Sequence, residues 1–302
     1  MLYEFTRLAE VCFQNNQHTQ PGTNMKLITK SVVTAVASCA FLAASLAHAD
    51  QLADIKTKDT LVCGVLDIFE PFGYTDMATR KISGYDVDVC NGIGKRLGVK
   101  VDIKPVADAA RIPELQQGHM DILAAGLAYT PQRAAQIDYS DSYYTSNNIL
   151  AVKVSRGYSK AEDLAGKRVS FVKGTISEPF IRENLPTAKP VGYDDISTAF
   201  TVLVQGKVEA FSTSEEATQK LISRLGADAS KYAVLSPPIG KELWSIGVKK
   251  GEPALLDSVN KALRDMESSG EMQAIFDKWL GEGTLYKMKR SFTVQPVNSK
   301  NS

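Results

Sequence analysis

Arg133 follows Thr130 and Pro131 in Thr130-Pro131-Gln132-Arg133, a threonine–proline pair that reads as the N-cap and first position of a helix. A guanidinium held there can fork onto both oxygens of a carboxylate, a contact that is strong and directional. A second anion signal lies at Gly174-Thr175-Ile176, where a glycine turn runs into a helical stretch and the amides of Thr175 and Ile176 sit at its N-terminus. Acids that could answer a cation are Asp67, Glu70, Asp108 and Glu215. Metal or covalent chemistry is poorly provided for. The histidines are His18, His48 and His119, and the first two fall in a segment read below as a leader. One histidine and the two cysteines left with it make a poor zinc site or histidine-dependent triad, so no catalytic group, metal or cofactor is expected.

The first 49 residues read as an address. Met25-Lys26-Leu27-Ile28-Thr29-Lys30 gives a start and two positive charges, Ser31 to Ala47 carries none, and Ala47-His48-Ala49 is a small-x-small cleavage site before Asp50. A membrane anchor would need about 20 strongly apolar residues. This stretch is shorter and rich in Ala, Ser and Thr. Lipid attachment at Cys39 is the other reading, and the apolar run continuing past Cys39 argues against it. Translation is expected to begin at Met25, and 1–49 is set aside as leader.

What remains after that cut holds 32 basic and 32 acidic residues, with no polybasic footprint for nucleic acid or anionic lipid. Composition is that of an ordinary globular protein, and the length allows two domains. Cys63, in the apolar run Leu61-Val62-Cys63-Gly64-Val65, and Cys90, spaced with Val87, Ile93 and Leu97 at helical intervals, point at one core. In an oxidising compartment they form either a disulfide or two inert buried thiols.

These residues need a scaffold, and strand and helix signals alternate along the rest of the chain. Strands are expected at Leu61–Val65, Val101–Pro105, Asp121–Ala125, Ile149–Lys153, Lys167–Val172, Val208–Ser212, Tyr232–Leu235 and Ile246–Lys249. Helices are expected at Asp86–Leu97, Arg111–Gln117, from Thr130, then at Gly174–Asn184, Asp195–Gln205, Glu215–Ser223, Leu255–Ser268 and Glu271–Leu280. Such alternation predicts an α/β fold of mainly parallel sheets flanked by helices. The tail 287–302 reads as loosely ordered.

Eight motifs in order then resemble bacterial extracellular solute-binding proteins of family 3, the polar amino-acid receptors of ABC transporters. They are Gly84-Tyr85-Asp86-Val87-Asp88-Val89, Arg111-Ile112-Pro113-Glu114-Leu115-Gln116-Gln117-Gly118, Asp121-Ile122, Thr130-Pro131-Gln132-Arg133, Ile137-Asp138-Tyr139-Ser140, Tyr143-Tyr144, Asp163-Leu164-Ala165-Gly166-Lys167 and Lys278-Trp279-Leu280-Gly281. The resemblance covers about 52–284. It implies the two-lobed type II binding-protein fold: lobe 1 from 50–148 plus 242–286, lobe 2 from 149–241, with crossings near Asn147–Lys153 and Pro237–Ser245. The ligand would lie in the cleft, and the lobes would close on it about the hinge.

The resemblance also assigns the site. Arg133 takes the ligand carboxylate, Gly126 approaches with its backbone, Phe69 covers the ligand, and Thr175 and Ile176 supply lobe 2 amides. Two positions depart from the family. Ala128 stands where a Ser or Thr usually helps hold the carboxylate, and Ser214 stands where an Asp usually pairs with the ligand ammonium; Ile176 also replaces a frequent hydroxyl. Either a neighbouring acid serves instead (Glu215 first, then Asp67, Glu70 or Asp108), or the ligand has no free ammonium, or the alignment at Ser214 is off by one.

The expected function is a periplasmic receptor, monomeric, delivering an amino acid or analogue to an inner-membrane ABC permease. An enzyme resembling cyclohexadienyl dehydratases, with Glu215 or Asp108 as acid, and a sensory receptor are the competing readings.

Overall fold

A computed structural model describes residues 50–297; the leader with Met25 and the last five residues lie outside the described residues. The first helix, α1 (Gln51–Lys58), opens on Asp50, whose side chain caps the amide of Leu52. Five strands then build one half of the central sheet: β1 (Thr60–Val65), β5 (Lys100–Pro105), β6 (Ile122–Leu123), β7 (Ile137–Lys153) and β12 (Gly240–Lys249). The other half comprises β8 (Arg168–Val172), β9 (Lys189–Tyr193), β10 (Ala210–Ser214) and β11 (Tyr232–Val234). The strand order is β5-β1-β6-β12-β7-β10-β8-β9, with β11 also on β7. Neighbours β5, β1 and β6 run parallel, as do β10, β8 and β9, and the antiparallel pairs involve β7 and β12. A small hairpin sheet, β2 (Ile68–Phe69), β3 (Gly73–Thr75) and β4 (Ile82–Ser83), projects from the first half.

The strands β7 and β12 serve both halves. Sequence signals placed strands only at Ile149–Lys153 and Ile246–Lys249, but the observed strands start twelve and six residues earlier. Their early residues are polar yet buried: Ser140, Asp141, Ser142, Ser146, Asn148 and Glu242. Alternation of apolar and polar residues cannot mark such strands, because hydrogen bonds between side chains stand in for apolar burial. The two pair from Gly240 against Asn148 through Lys249 against Ile137, so the two crossings lie side by side.

Helices cover the sheet as the punctuation predicts. The helix α2 (Tyr85–Leu97) stops at Gly98, whose φ of 69° is a left-handed cap. It packs with α8 (Pro253–Ser268) and α9 (Glu271–Trp279) in a core that contains Leu61, Val89, Ile93 and Phe276. In the second half α6 (Ile196–Val204), capped by Asp195, packs Phe200 and Leu203 against Phe211, and α5 (Ser177–Asn184) contributes Ile181 on the other side. Cys63 and Cys90 are joined in a disulfide that ties β1 to α2. Past Tyr286 the chain, expected to be loosely ordered, is instead packed as far as 297. Phe292 stacks edge-on to Tyr144 and Phe276, Arg290 pairs with Glu267 at 2.5 Å, and Gln295 exchanges backbone bonds with Ser142. An ion pair, a half-buried ring and a pair of backbone bonds hold a segment whose composition alone looks like a tail.

Candidate functional site

A cavity with an empty volume of about 490 Å³, part of it open to solvent, lies beside the crossing strands and draws its lining from both halves of the sheet. Its position follows from local sequence. Thr130 caps the short helix α4 (Pro131–Ala134), its hydroxyl accepting from the Arg133 amide at 3.1 Å, and this cap fixes where the Arg133 side chain starts. The guanidinium donates to the Ala128 carbonyl at 2.8 Å and to the Gly174 carbonyl at 2.7 Å. These bonds use two of its five N–H donors. Burial and the nearby Arg111 both pull its pKa below the ordinary arginine value.

Arg111, at the start of α3 (Arg111–Gln116), is the more buried arginine, 2% exposed. It donates to the carbonyls of Asp108, Ala125, Gly126 and Gly174 and pairs with the Asp108 carboxylate at 3.1 Å. This bonding pattern is that of a brace: Arg111 holds three loops around the cavity. Behind them Asp86 accepts from the Gly126 amide at 3.1 Å and from the Tyr143 hydroxyl at 2.8 Å, and burial pushes its pKa up to about 6. Gly126 has φ of +54°, and a Cβ there would come within 3.2 Å of the Phe69 ring. The left-handed backbone favours glycine, and any side chain there would press on the Phe69 ring.

Phe69 and Trp244 form the apolar wall, backed by the buried Phe72, with ring centroids 4.6 to 5.8 Å apart. On the same strand as Trp244 stands Glu242, 6% exposed and facing the cavity. Its oxygens accept from Asn148 Nδ2 at 2.7 Å and Trp244 Nε1 at 2.8 Å. Burial raises its pKa, opposed by those bonds and by the two arginines.

Eight of the residues singled out by sequence line this one cavity: Phe69, Asp108, Gly126, Ala128, Arg133, Thr175, Ile176 and Ser214. The ninth does not. Glu215 begins α7 (Glu215–Ser223), is exposed, and accepts from Asn147 Nδ2 at 2.9 Å away from the cavity, because the helix turns its side chain outward one residue after the strand ends. Ser214 itself caps α7, its hydroxyl accepting from Ala217 N at 3.4 Å, and it brings no charge to the cavity. Thr175 is also committed, its amide to the Val172 carbonyl at 3.2 Å and its hydroxyl to the same carbonyl at 2.7 Å, so the amide expected to be free there is not. Glu70 pairs with Lys220 and Arg224 at 2.7 and 2.6 Å, and Asp67 lines an adjoining pocket that shares Leu66, Ile68 and Asp108 with this cavity. Arg111, Glu242 and Trp244 were missed. Arg111 lay inside a motif that carried no role, and Glu242 and Trp244 lay in the expected second crossing, Pro237–Ser245, to which no ligand contact was assigned.

Comparison with known proteins agrees with this architecture. Residues 61–282 match the bacterial extracellular solute-binding proteins, family 3. The ABC transporter glutamine-binding protein GlnH of Bacillus subtilis is 32% identical over 237 residues, 77% of this chain and 85% of that protein. A solved structure of an ancestral arginine-binding protein bound to glutamine superposes with a TM-score of 0.69 at 33% identity, over 74% of this chain and 99% of that one. An ancestral amino acid-binding protein described as a precursor of cyclohexadienyl dehydratase does so with a TM-score of 0.69 at 30% identity, over 76% and 100%. Among the described residues no helix is long and apolar enough to cross a membrane. With a cavity seated on two crossing strands and this match along most of its length, the chain belongs to the bacterial extracellular solute-binding proteins, family 3.

Proposed function

We propose that this protein is a receptor for an amino acid or amino-acid-like solute, that it works outside the inner membrane after export, and that it delivers its ligand to an ABC permease. It is a binding protein and not an enzyme, and it acts as a monomer. The observation that carries the reading is Arg133: a partly buried guanidinium with donors to spare, on the lining of a cavity that the rings of Phe69 and Trp244 also line. A carboxylate bound there exchanges water for a charge-assisted fork, and the aromatic wall takes an aliphatic side chain. Lobe 1 comprises 50–148 and 242–286 and lobe 2 comprises 149–241. Bending at β7 and β12 opens the cavity, and ligand shifts the population toward closure.

Thermal melting of the purified protein against the twenty amino acids and small carboxylates tests this. A true ligand at 100 times its Kd stabilises by about 2.7 kcal/mol, a rise of roughly 5–10 °C for a chain of this size. No shift with any of these solutes sinks the proposal. One observation favours a second reading: a structural relative stands on the line to a dehydratase, and the cavity holds two carboxylates, Asp108 and Glu242, able to carry a proton. Turnover of a cyclohexadienyl substrate, abolished in Glu242→Gln, would establish that reading instead.

A further inference from the structure

We propose that Glu242, on the second crossing strand, receives the ligand's ammonium group, so that the site selects zwitterionic α-amino acids; the inference rests on the solute-receptor reading above. The position where the family usually supplies a carboxylate is here Ser214, uncharged and occupied in capping α7. Glu215 faces away, and Asp108 is matched by Arg111 at 3.1 Å. Glu242 is the remaining carboxylate on the cavity wall. Both of its hydrogen bonds come from neutral donors, one to each oxygen, which leaves a lone pair on each oxygen for a further donor. Among the described residues it has no salt-bridge partner.

The carboxylate is also held in place. Asn148 directs its amide nitrogen at Glu242 and at the Ser177 hydroxyl, while its carbonyl accepts from Ser212 at 2.7 Å. With the amide so oriented and Trp244 pinning the other oxygen, Glu242 cannot swing away to solvent. A buried carboxylate without a cation is costly, and a ligand ammonium removes that cost. Charge counting agrees: Asp108 cancels Arg111, and what remains in the cavity is one positive group, Arg133, and one negative group, Glu242. That is the complement of one carboxylate and one ammonium.

Isothermal titration with each of the twenty amino acids and with the 2-hydroxy acid isostere of the tightest, in which a hydroxyl replaces the ammonium, tests this on wild type and Glu242→Gln. The wild type is expected to prefer the amino acid over its isostere by about 100-fold. Glu242→Gln should lose about 100-fold for the amino acid and change little for the isostere, so the discrimination collapses. Equal affinity of Glu242→Gln and wild type for the amino acid overturns the proposal, and so does an equal loss for both ligands, which would mark a merely structural role. A wild type that binds only solutes without an ammonium overturns the proposal while the receptor reading stands. A wild type that binds no amino acid and no small carboxylate overturns both.

Discussion

Arg133 reaches the carbonyl of Gly174 at 2.7 Å, and through that one bond a side chain anchored beside α4 ties itself to the turn that opens α5. Arg111 donates to the same carbonyl at 2.9 Å. Two guanidinium groups thus share one backbone oxygen at the junction of the two halves, and the groups that would bind an anion also hold the halves together.

Arg133→Ala is expected to lower ligand affinity by about 100-fold, since a buried charge-assisted fork is lost. Arg133→Lys should recover only part, because an ammonium cannot fork. Titration calorimetry with the best amino acid reads both. A wild-type Kd for Arg133→Ala would mean that the carboxylate binds elsewhere.

Gly174→Ala is expected to hold the two halves apart. Its φ is +79°, and a Cβ there would sit 2.6 Å from the Cα of Ala109, with backbone rather than a yielding side chain on the other side. The left-handed conformation alone costs about 1–2 kcal/mol for a non-glycine residue. Affinity should fall by tenfold or more, and small-angle scattering with saturating ligand should still show the expanded form. Full closure on ligand would refute it.

Removing the disulfide with Cys63→Ser and Cys90→Ser should cost about 3 kcal/mol through the loop it closes. The cysteines are 27 residues apart and both fully buried, so the exchanged hydroxyls add to the loss. Urea unfolding reads the change as a lower midpoint. Binding affinity should move little, because the bridge lies in the core between β1 and α2, away from the cavity wall. An unchanged midpoint would contradict the argument.

Glu216 makes stability depend on pH. It is buried on α7 and accepts from the Tyr144 hydroxyl at 2.9 Å and from Ser146 Oγ at 2.6 Å, with Glu215 adjacent. Burial, the main cause, raises its pKa from 4.5 to about 7. In that interval the folded protein binds more protons than the unfolded chain, so this group's effect on stability becomes less favourable as pH rises from about 4.5 to 7. Glu216→Gln, which imitates the protonated acid, should melt close to wild type at pH 5 and above it at pH 8. Parallel melting curves at the two pH values would show that Glu216 does not titrate there.

Much of this architecture was legible because its signals are local. The Thr130-Pro131 pair fixed the helix that carries Arg133, Gly98 ended α2, and Asp195 capped α6. What could not be read depends on residues distant in sequence. Ser146, Asn147 and Asn148 carry no strand signal of their own until Glu216, Glu215 and Glu242 supply their partners, and only the family resemblance placed a crossing at Asn147. Glu242 looks like a surface acid until the strand on which it sits is seen to be buried. Strand β9 carries Pro190 and Gly192, residues that argue against a strand, and it survives as the edge of its sheet. Glu215 misled for the opposite reason: proximity in sequence to Ser214 says nothing about direction once a helix begins between them.

The chain has two tryptophans, and their surroundings differ. Trp279 lies on α9, bonded to Asp88 and under the Lys278 ammonium, remote from the cavity. Trp244 forms part of the cavity wall with its indole nitrogen bonded to Glu242. The protein therefore carries its own optical reporter. In a Trp279→Phe background all indole emission arises beside the ligand, and occupancy of the cleft can be followed in real time, without a label, as the light from a single ring.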